Sequence, residues 1–382
     1  MSNKFLSTYK ILVIVLLTAL VLTACGGGAA PATAVKPNTT ESSTSTVATE
    51  PAANATEAAA PAAAGGDTTL KIGWLGKPDT LNPAYAFLTE SYTIFHLVYS
   101  TLTTQASDGK YVGLLAKDWS ASSDGMTWTY HLKDGIKWHN GKPFTADQLA
   151  WALNAVMKDP DGWATLANYT AGFKEVTAPD ATTLVIVTDY PIANMDYRTS
   201  FLYAFYPPDF ENFKTATDLQ NYTNDKPMGT GPFVLNKFDK DNGIALLDAN
   251  TDYFDGAPKI GGIVFQTFDN SDAMVQAFKV GDIDMLNGVP ASAYETVKGF
   301  QNVKATSIEN SYFYELIINS VDPKHDPAPK TNPALADPAV RLAMAHALNK
   351  KDLVDIVMQG LAAPGDSIIA PAMGGGFWHD PN

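Results

Sequence analysis

Between residues 126 and 133 the chain reads Met126-Thr127-Trp128-Thr129-Tyr130-His131-Leu132-Lys133, with large apolar and polar side chains alternating at period two. Asp124-Gly125 and Asp134-Gly135, both turn pairs, bracket the run. This is the pattern of a half-buried antiparallel strand. Soon afterwards Thr145-Ala146-Asp147-Gln148 has capping-box spacing, and Leu149, Leu153, Val156 and Met157 recur on one helical face until Asp159-Pro160-Asp161-Gly162 stops it. Leu184 to Thr188, Gly243 to Leu247 and Ile263 to Thr267 are further short β-rich runs, and Ser271 to Val280 predicts a helix that Gly281 ends as a left-handed cap.

Near the C-terminus Asp337 is an N-cap and Pro338 takes the first helical position. Val340, Ala343, Met344, Ala347 and Leu348 then follow at i, i+3, i+4, i+7, i+8 spacing. A second helix is expected from Lys350 to Gln359, ending at Gly360. Strands and helices interleave without an internal repeat, so the fold class is α/β or mixed α+β.

The first 66 residues have a different character. Lys4 and Lys10 precede an apolar run from Ile11 to Leu22, too short to span a bilayer comfortably, which reads as the core of an export signal over residues 1–24. Leu22-Thr23-Ala24-Cys25 follows, small residues before the chain's single cysteine, and resembles a bacterial lipobox cut before Cys25 and acylated on its sulfur. An ordinary export signal with an incidental cysteine is the plainer alternative. Of the 41 residues from Gly26 to Gly66, 33 are Ala, Thr, Pro, Ser or Gly, so residues 25–66 are expected to be a lipidated cysteine and a flexible tether. Flexible-coil scaling gives such a tether a reach of roughly 35 Å. The body would work at a membrane surface, on the outer face of the cytoplasmic membrane or in a periplasm.

Composition narrows the body's function. With 46% hydrophobic and 17% charged residues the chain is a folded protein of one or two domains. Its formal net charge is −14 and Arg198 and Arg341 are its only arginines, so no basic stripe exists to neutralise phosphates and nucleic acid is excluded as a partner. One cysteine permits neither an internal disulfide nor a zinc cluster. H-E-x-x-H, G-x-S-x-G and Walker-type motifs are absent. Gly229-Thr230-Gly231 starts like a dinucleotide loop, but Pro232 follows and the third glycine is missing, which favours a sharp turn entering a strand. The six histidines show no i, i+4 pairing, so no metal site and no cofactor are expected. Asp282 with Asp284 is the sort of acid pair any protein of this size carries.

The aromatic residues are more informative. Tyr312, Phe313 and Tyr314 are consecutive, and Tyr85, Phe87, Trp163 and Tyr169 stand in loop-like contexts. They are either core and strand residues or the lining of a ligand cleft.

Four segments carry a resemblance to a known family. They are Thr80-Leu81-Asn82-Pro83, then Leu114 to Trp119 running on through Ser123 to Asp147, then Gly229-Thr230-Gly231-Pro232-Phe233 with Asn250 to Phe254 and Gly281 to Asp284, and lastly Val340 to Lys350. Together they resemble the extracellular solute-binding proteins of family 5, the dipeptide, oligopeptide and nickel-binding components of ABC importers. The resemblance implies a two-lobed periplasmic-binding-protein-like fold (type II, cluster C) closing on ligand about a hinge. Lobe I would cover residues 67–315 and lobe II would begin at 316–382, crossing after Tyr312 to Asn319. Lobe II is then expected to be incomplete, because the family's return segment does not appear before Asn382.

By the same resemblance the protein is a binder and not an enzyme. Ligand would lie between the lobes, held by backbone groups of the loop after Pro83, at Tyr85, Phe87, Leu88 and Thr89, and by the aromatic residues near Trp163, Tyr169, Tyr312 and Tyr314. Short peptides are expected first as cargo, then oligosaccharides, then nickel complexes. The partners would be ABC permease subunits and a lipid anchor, with the protein a monomer. A surface-anchored hydrolase and a purely structural lipoprotein are the rivals from other classes, and a sensing role the rival to import.

Overall fold

The computed structural model describes residues 68–307, 313–321 and 332–365. The export signal (1–24), Cys25, the tether (to residue 66) and Tyr312 lie outside the described residues. Among the described residues the strands are β1 (Thr69–Trp74), β2 (Thr103–Gln105), β3 (Tyr111–Gly113), β4 (Ala116–Ala121), β5 (Thr127–Leu132), β6 (Phe173–Asp180), β7 (Thr183–Thr188), β8 (Phe233–Asp239), β9 (Ile244–Ala249), β10 (Gly262–Thr267) and β11 (Met285–Leu286). The longer helices are α1 (Thr89–Val98), α2 (Ala146–Lys158), α3 (Ser271–Val280), α4 (Ala291–Lys298) and α5 (Pro338–Ala347).

The alternating run becomes β5, the second strand of an antiparallel sheet ordered β4-β5-β7-β6. Tyr130 pairs with Trp119 on one side and with Leu184 on the other. Tyr130, Leu132, Leu184 and Ile186 face one core together with Leu149 and Leu153 of α2, while His131 points to solvent. The expected cap is present: Thr145 is the N-cap, and Gln148 Oε1 accepts from the Thr145 amide at 3.1 Å and from Trp138 Nε1 at 2.9 Å. Gly125 and Gly135 take φ of 69° and 74°, which is why both bracketing turns carry glycine.

The second sheet has the order β11-β1-β10-β9-β8. β1 is parallel to β10 and to β11, whereas β9 is antiparallel to both β8 and β10. Ile72, Trp74, Leu247 and Phe265 are buried against Ile94 and Val98 of α1, and Trp74 stacks on Phe265 at 4.4 Å. A third cluster, mostly aromatic, packs Phe95 and Tyr99 with Trp163, Tyr203, Phe205 and Phe210.

Gly229-Thr230-Gly231 is the sharp turn its sequence indicates, and the close approach to the end of α1 explains its glycines. A Cβ on Gly229 would lie 1.9 Å from the Val98 carbonyl oxygen, and one on Gly231 would lie 2.5 Å from that of Leu97. His139 fastens the turn from the other side. Its Nδ1 accepts from the Gly229 amide at 3.3 Å, and its Nε2 lies 3.1 Å from the Gly231 carbonyl. Burial lowers its pKa to about 4, so the ring is neutral at pH 7 with its proton on Nε2.

Two local expectations need correction. The segment from Thr89 is not loop but the start of α1. The helix expected over 350–359 is α-helical only at Lys350–Asp352, and Leu353–Val357 winds as a π turn before Gln359 and Gly360 enter positive φ. α5 begins as its sequence predicts, with Asp337 Oδ1 accepting from the Ala339 amide at 2.8 Å. No residue of 313–321 or 332–365 is buried among the described residues, and Leu342 and Leu348 of the α5 region stand exposed. No helix among the described residues is long and apolar enough to cross a membrane.

Candidate functional site

The loop that leaves β1 is built as a rigid shelf. Thr80 Oγ1 accepts from the Asn82 amide at 3.0 Å, and Asn82 Oδ1 accepts from that of Ala84 at 3.0 Å. Asn82 itself is buried, and its Nδ2 donates to the Leu219 carbonyl at 2.6 Å. Asn224, also buried, donates from Nδ2 to the Leu81 carbonyl and the Tyr99 hydroxyl, both at 2.8 Å. Asn224 therefore satisfies the Leu81 carbonyl where water is excluded, and Asn82 ties the loop to Leu219 and to its own Ala84 amide.

The residues after Pro83 are held by three further groups. Tyr85 Oη donates to the Asp161 carbonyl at 3.0 Å, Tyr92 Oη donates to that of Ala86 at 3.0 Å, and Thr165 Oγ1 lies 3.0 Å from the carbonyls of both Pro83 and Ala84. Asp79 takes the opposite side. Its carboxylate accepts from the Phe87 amide at 2.9 Å, from the Leu88 amide at 3.4 Å and from Ser91 Oγ at 2.6 Å. Burial works to raise the Asp79 pKa, but the hydrogen bonds from Ser91, Phe87 and Leu88 outweigh it and hold the carboxyl below its ordinary range. A charged cap thus sits at the N-terminal end of α1.

This arrangement decides what the shelf presents. The expectation that backbone groups of this loop hold ligand is corrected at Phe87 and Leu88, whose amides are committed to Asp79; there the loop offers side chains, Phe87 being 73% exposed and Leu88 47%. Thr89 is exposed beside them as the first residue of α1, its carbonyl accepting from Thr93 Oγ1 at 3.0 Å. Exposed apolar side chains on a fixed backbone suit contact with a ligand or with another protein surface.

The aromatic candidates divide. Trp163 is a core residue, 4% exposed, stacked on Phe205 at 5.0 Å and tilted against Phe210 at 5.5 Å, so it backs the shelf and lines no surface. Tyr169 is half-buried on a one-turn helix, stacked nearly parallel on Phe201 at 4.8 Å with Tyr197 at 6.0 Å. Burial, then the phenols of Tyr197 and Tyr92, push its pKa well up, so it stays a neutral hydroxyl. Tyr85 thus packs into the cluster that holds Trp163, with Tyr169 near Tyr92 in the same cluster, and Phe87, Leu88 and Thr89 follow Tyr85 along the chain as exposed residues. Tyr314 is not part of this group: it is 92% exposed in a segment without regular structure.

Sequence reasoning missed Asp79, Tyr92, Tyr197 and Phe201. A signal for α1 was available, because its buried residues Ser91, Ile94, Phe95 and Val98 have i, i+3, i+4, i+7 spacing. Other polar groups serve structure. Asp284 Oδ2 accepts from the Lys71 amide at 2.8 Å, and His131 Nδ1 lies 2.5 Å from Asp118 in an exposed pair across β4 and β5. Among the described residues no three His, Cys, Asp or Glu side chains are grouped to hold a metal ion.

The chain is similar to known proteins in both sequence and fold. The model of the bacterial extracellular solute-binding proteins, family 5 (Middle), matches residues 110–382. The nickel-binding periplasmic protein of Escherichia coli is 29% identical over 281 residues, covering 72% of this chain and 51% of that protein. The oligopeptide-binding protein AppA of Bacillus subtilis is 27% identical over 299 residues, covering 78% and 52%. The chain thus spans about half the length of the curated relatives it matches. Among solved structures, B. subtilis AppA in complex with a nonapeptide superposes with a TM-score of 0.63 at 22% identity, over 77% of this chain and 56% of that one. NikZ of Campylobacter jejuni in complex with Ni(L-His) gives 0.63 at 21% identity, over 76% and 55%. The chain belongs to the bacterial extracellular solute-binding proteins of family 5, binding proteins with a mixed α/β, two-lobed periplasmic-binding-protein-like fold.

Proposed function

We propose that the protein is the substrate-binding component of an ABC importer and captures a short peptide between two lobes. The observation that carries this reading is the shelf from Tyr85 to Thr89: Phe87 and Leu88 stand exposed on a backbone pinned by Asp79, Asn82 and Thr165. A binding surface held in place before ligand arrives loses little entropy on binding. Tyr85 and Tyr169 flank the contact, Trp163 supports it from beneath, and Tyr312 and Tyr314 belong to the crossing segment that would bring lobe II over it. No bond is made or broken. Ligand stabilises the closed arrangement through contacts present only there.

Cys25 is the lipid attachment point in this reading, and residues 26–66 tether the body beside a permease outside the cytoplasm. Lobe I extends from residue 67 to 315 and lobe II begins at 316, with the protein acting as a monomer. A nickel complex is the second reading, favoured by the similarity to nickel-binding relatives.

Thermal unfolding of the full chain with tripeptide, oligosaccharide and nickel–histidine pools tests the assignment. A ligand at a hundred times its Kd adds about 2.7 kcal/mol of stability by mass action. A rise in Tm with the tripeptide pool alone is expected. A rise only with nickel–histidine or with sugars, or none with any pool, overturns the peptide reading.

A further inference from the structure

The sequence contains three Asn-Gly pairs, Asn140-Gly141, Asn242-Gly243 and Asn287-Gly288, and the fold treats them differently. In the first, the Gly141 amide donates to the Trp138 carbonyl at 2.8 Å and Asn140 Oδ1 accepts from the Lys142 amide at 3.1 Å. In the second, Asn242 Nδ2 donates to Asp239 Oδ2 at 3.0 Å, and its main-chain amide donates to Asp239 Oδ1 at 3.1 Å. Gly243 is buried there, and a Cβ on it would lie 2.5 Å from Thr267. The third pair has none of these restraints. Asn287 and Gly288 are both exposed, neither the Asn287 side chain nor the Gly288 amide has a hydrogen-bond partner among the described residues, and no atom lies within 4 Å of a Cβ built on Gly288.

We propose that Asn287 is a spontaneous modification site of this protein, converting to aspartate and isoaspartate by attack of the Gly288 main-chain nitrogen. Base removes the Gly288 N–H proton, a bond forms from that nitrogen to Asn287 Cγ, and the Cγ–Nδ2 bond breaks with ammonia leaving. Water then opens the cyclic imide at either carbonyl. The reaction needs an unbonded amide nucleophile, a side chain free to turn onto it and room for a five-membered ring, and the third pair alone offers all of these. The product places a carboxylate one residue past β11, where the Asn287 amide donates to the Gly73 carbonyl at 2.9 Å. The isoaspartate form also lengthens the main chain by one methylene at that sheet edge.

The test is peptide mapping by mass spectrometry after timed incubation of the full chain at mildly alkaline pH, folded and in denaturant. In the folded protein the peptide holding Asn287 should gain the mass of amide-to-acid exchange at least about tenfold faster than those holding Asn140 and Asn242. That is the factor one hydrogen bond of about 1.4 kcal/mol is worth in a rate. In denaturant the three rates should converge, and Asn287→Gln should abolish the signal at that position. Conversion of Asn140 or Asn242 in the folded protein as fast as Asn287 overturns the proposal. So does an Asn287 that converts in denaturant and not in the fold.

Discussion

His139 donates from Nε2 to the Gly231 carbonyl at 3.1 Å while its Nδ1 accepts from the Gly229 amide at 3.3 Å, and it is the second of these bonds that a proton on Nδ1 would break. Burial depresses the ring's pKa from 6.5 to about 4, so the unfolded chain binds this proton at a higher pH than the folded one. The stability from a neutral His139 is complete above about pH 6.5 and is lost as pH falls toward 4, by on the order of 3 kcal/mol over that window. Urea midpoints measured across the range should fall with acid in the parent protein and much less in His139→Gln. Equal slopes in the two would show that His139 is not the group being titrated.

Gly229 and Gly135 should answer differently to alanine. At Gly229 the added carbon meets main chain 1.9 Å away, which cannot swing aside, so a loss of about 3 kcal/mol or more is expected. Gly135 has open space around its Cβ position and only a positive φ of 74° to strain, which costs about 1–2 kcal/mol. Denaturant titration of both variants ranks them.

Asp79→Ala should release the Phe87 and Leu88 amides together with Ser91 Oγ, at a cost of about 1–2 kcal/mol. Hydrogen exchange gives the sharper readout. Those two amides should lose protection in the variant, while the amides paired across β5 and β7 keep theirs.

Phe87→Ala and Trp163→Ala separate contact from support. Phe87 is largely solvent-exposed, so its truncation should change stability by less than about 0.5 kcal/mol while weakening ligand binding at least about tenfold. Trp163 is buried among Phe205 and Phe210, and its removal should cost about 3–5 kcal/mol of folding free energy. Tm and ligand titration on both proteins check the pair, and an unchanged Kd in Phe87→Ala would remove the shelf from the binding surface.

How far this fold could be read beforehand depends on whether the information was local. β5 and α2 declare themselves because their caps, turns and periodicities lie within their own residues. α1 declares itself more weakly: Ser91, Ile94, Phe95 and Val98 have helical spacing, but Thr89-Glu90-Ser91-Tyr92-Thr93 is rich in residues that favour other states, and burial against the β1 sheet supplies the rest. The same limit governs the site. Aromatic residues around Tyr85 and Trp163 can be picked out as a group, but whether Trp163 lines a surface or supports one is decided by Phe205 and Phe210, remote in sequence. Asp79 has no local signature because its partners Phe87, Leu88 and Ser91 stand 8 to 12 residues downstream, in the loop and first turn that lead into α1.

The placement of β1 has a consequence for how the chain is assembled. It lies inside its sheet, yet both its neighbours arise far downstream, and the Trp74 indole finds its Thr267 partner 193 residues later. At ribosomal rates of about 5–20 residues per second, β1 emerges roughly 10–40 s before β10 can reach it. The β4-β5-β7-β6 sheet is closed by local antiparallel pairings and has no such delay. During synthesis or passage across a membrane, the earliest strand among the described residues is thus the one left longest with both edges open, and a chaperone would have most reason to shield residues 69–74.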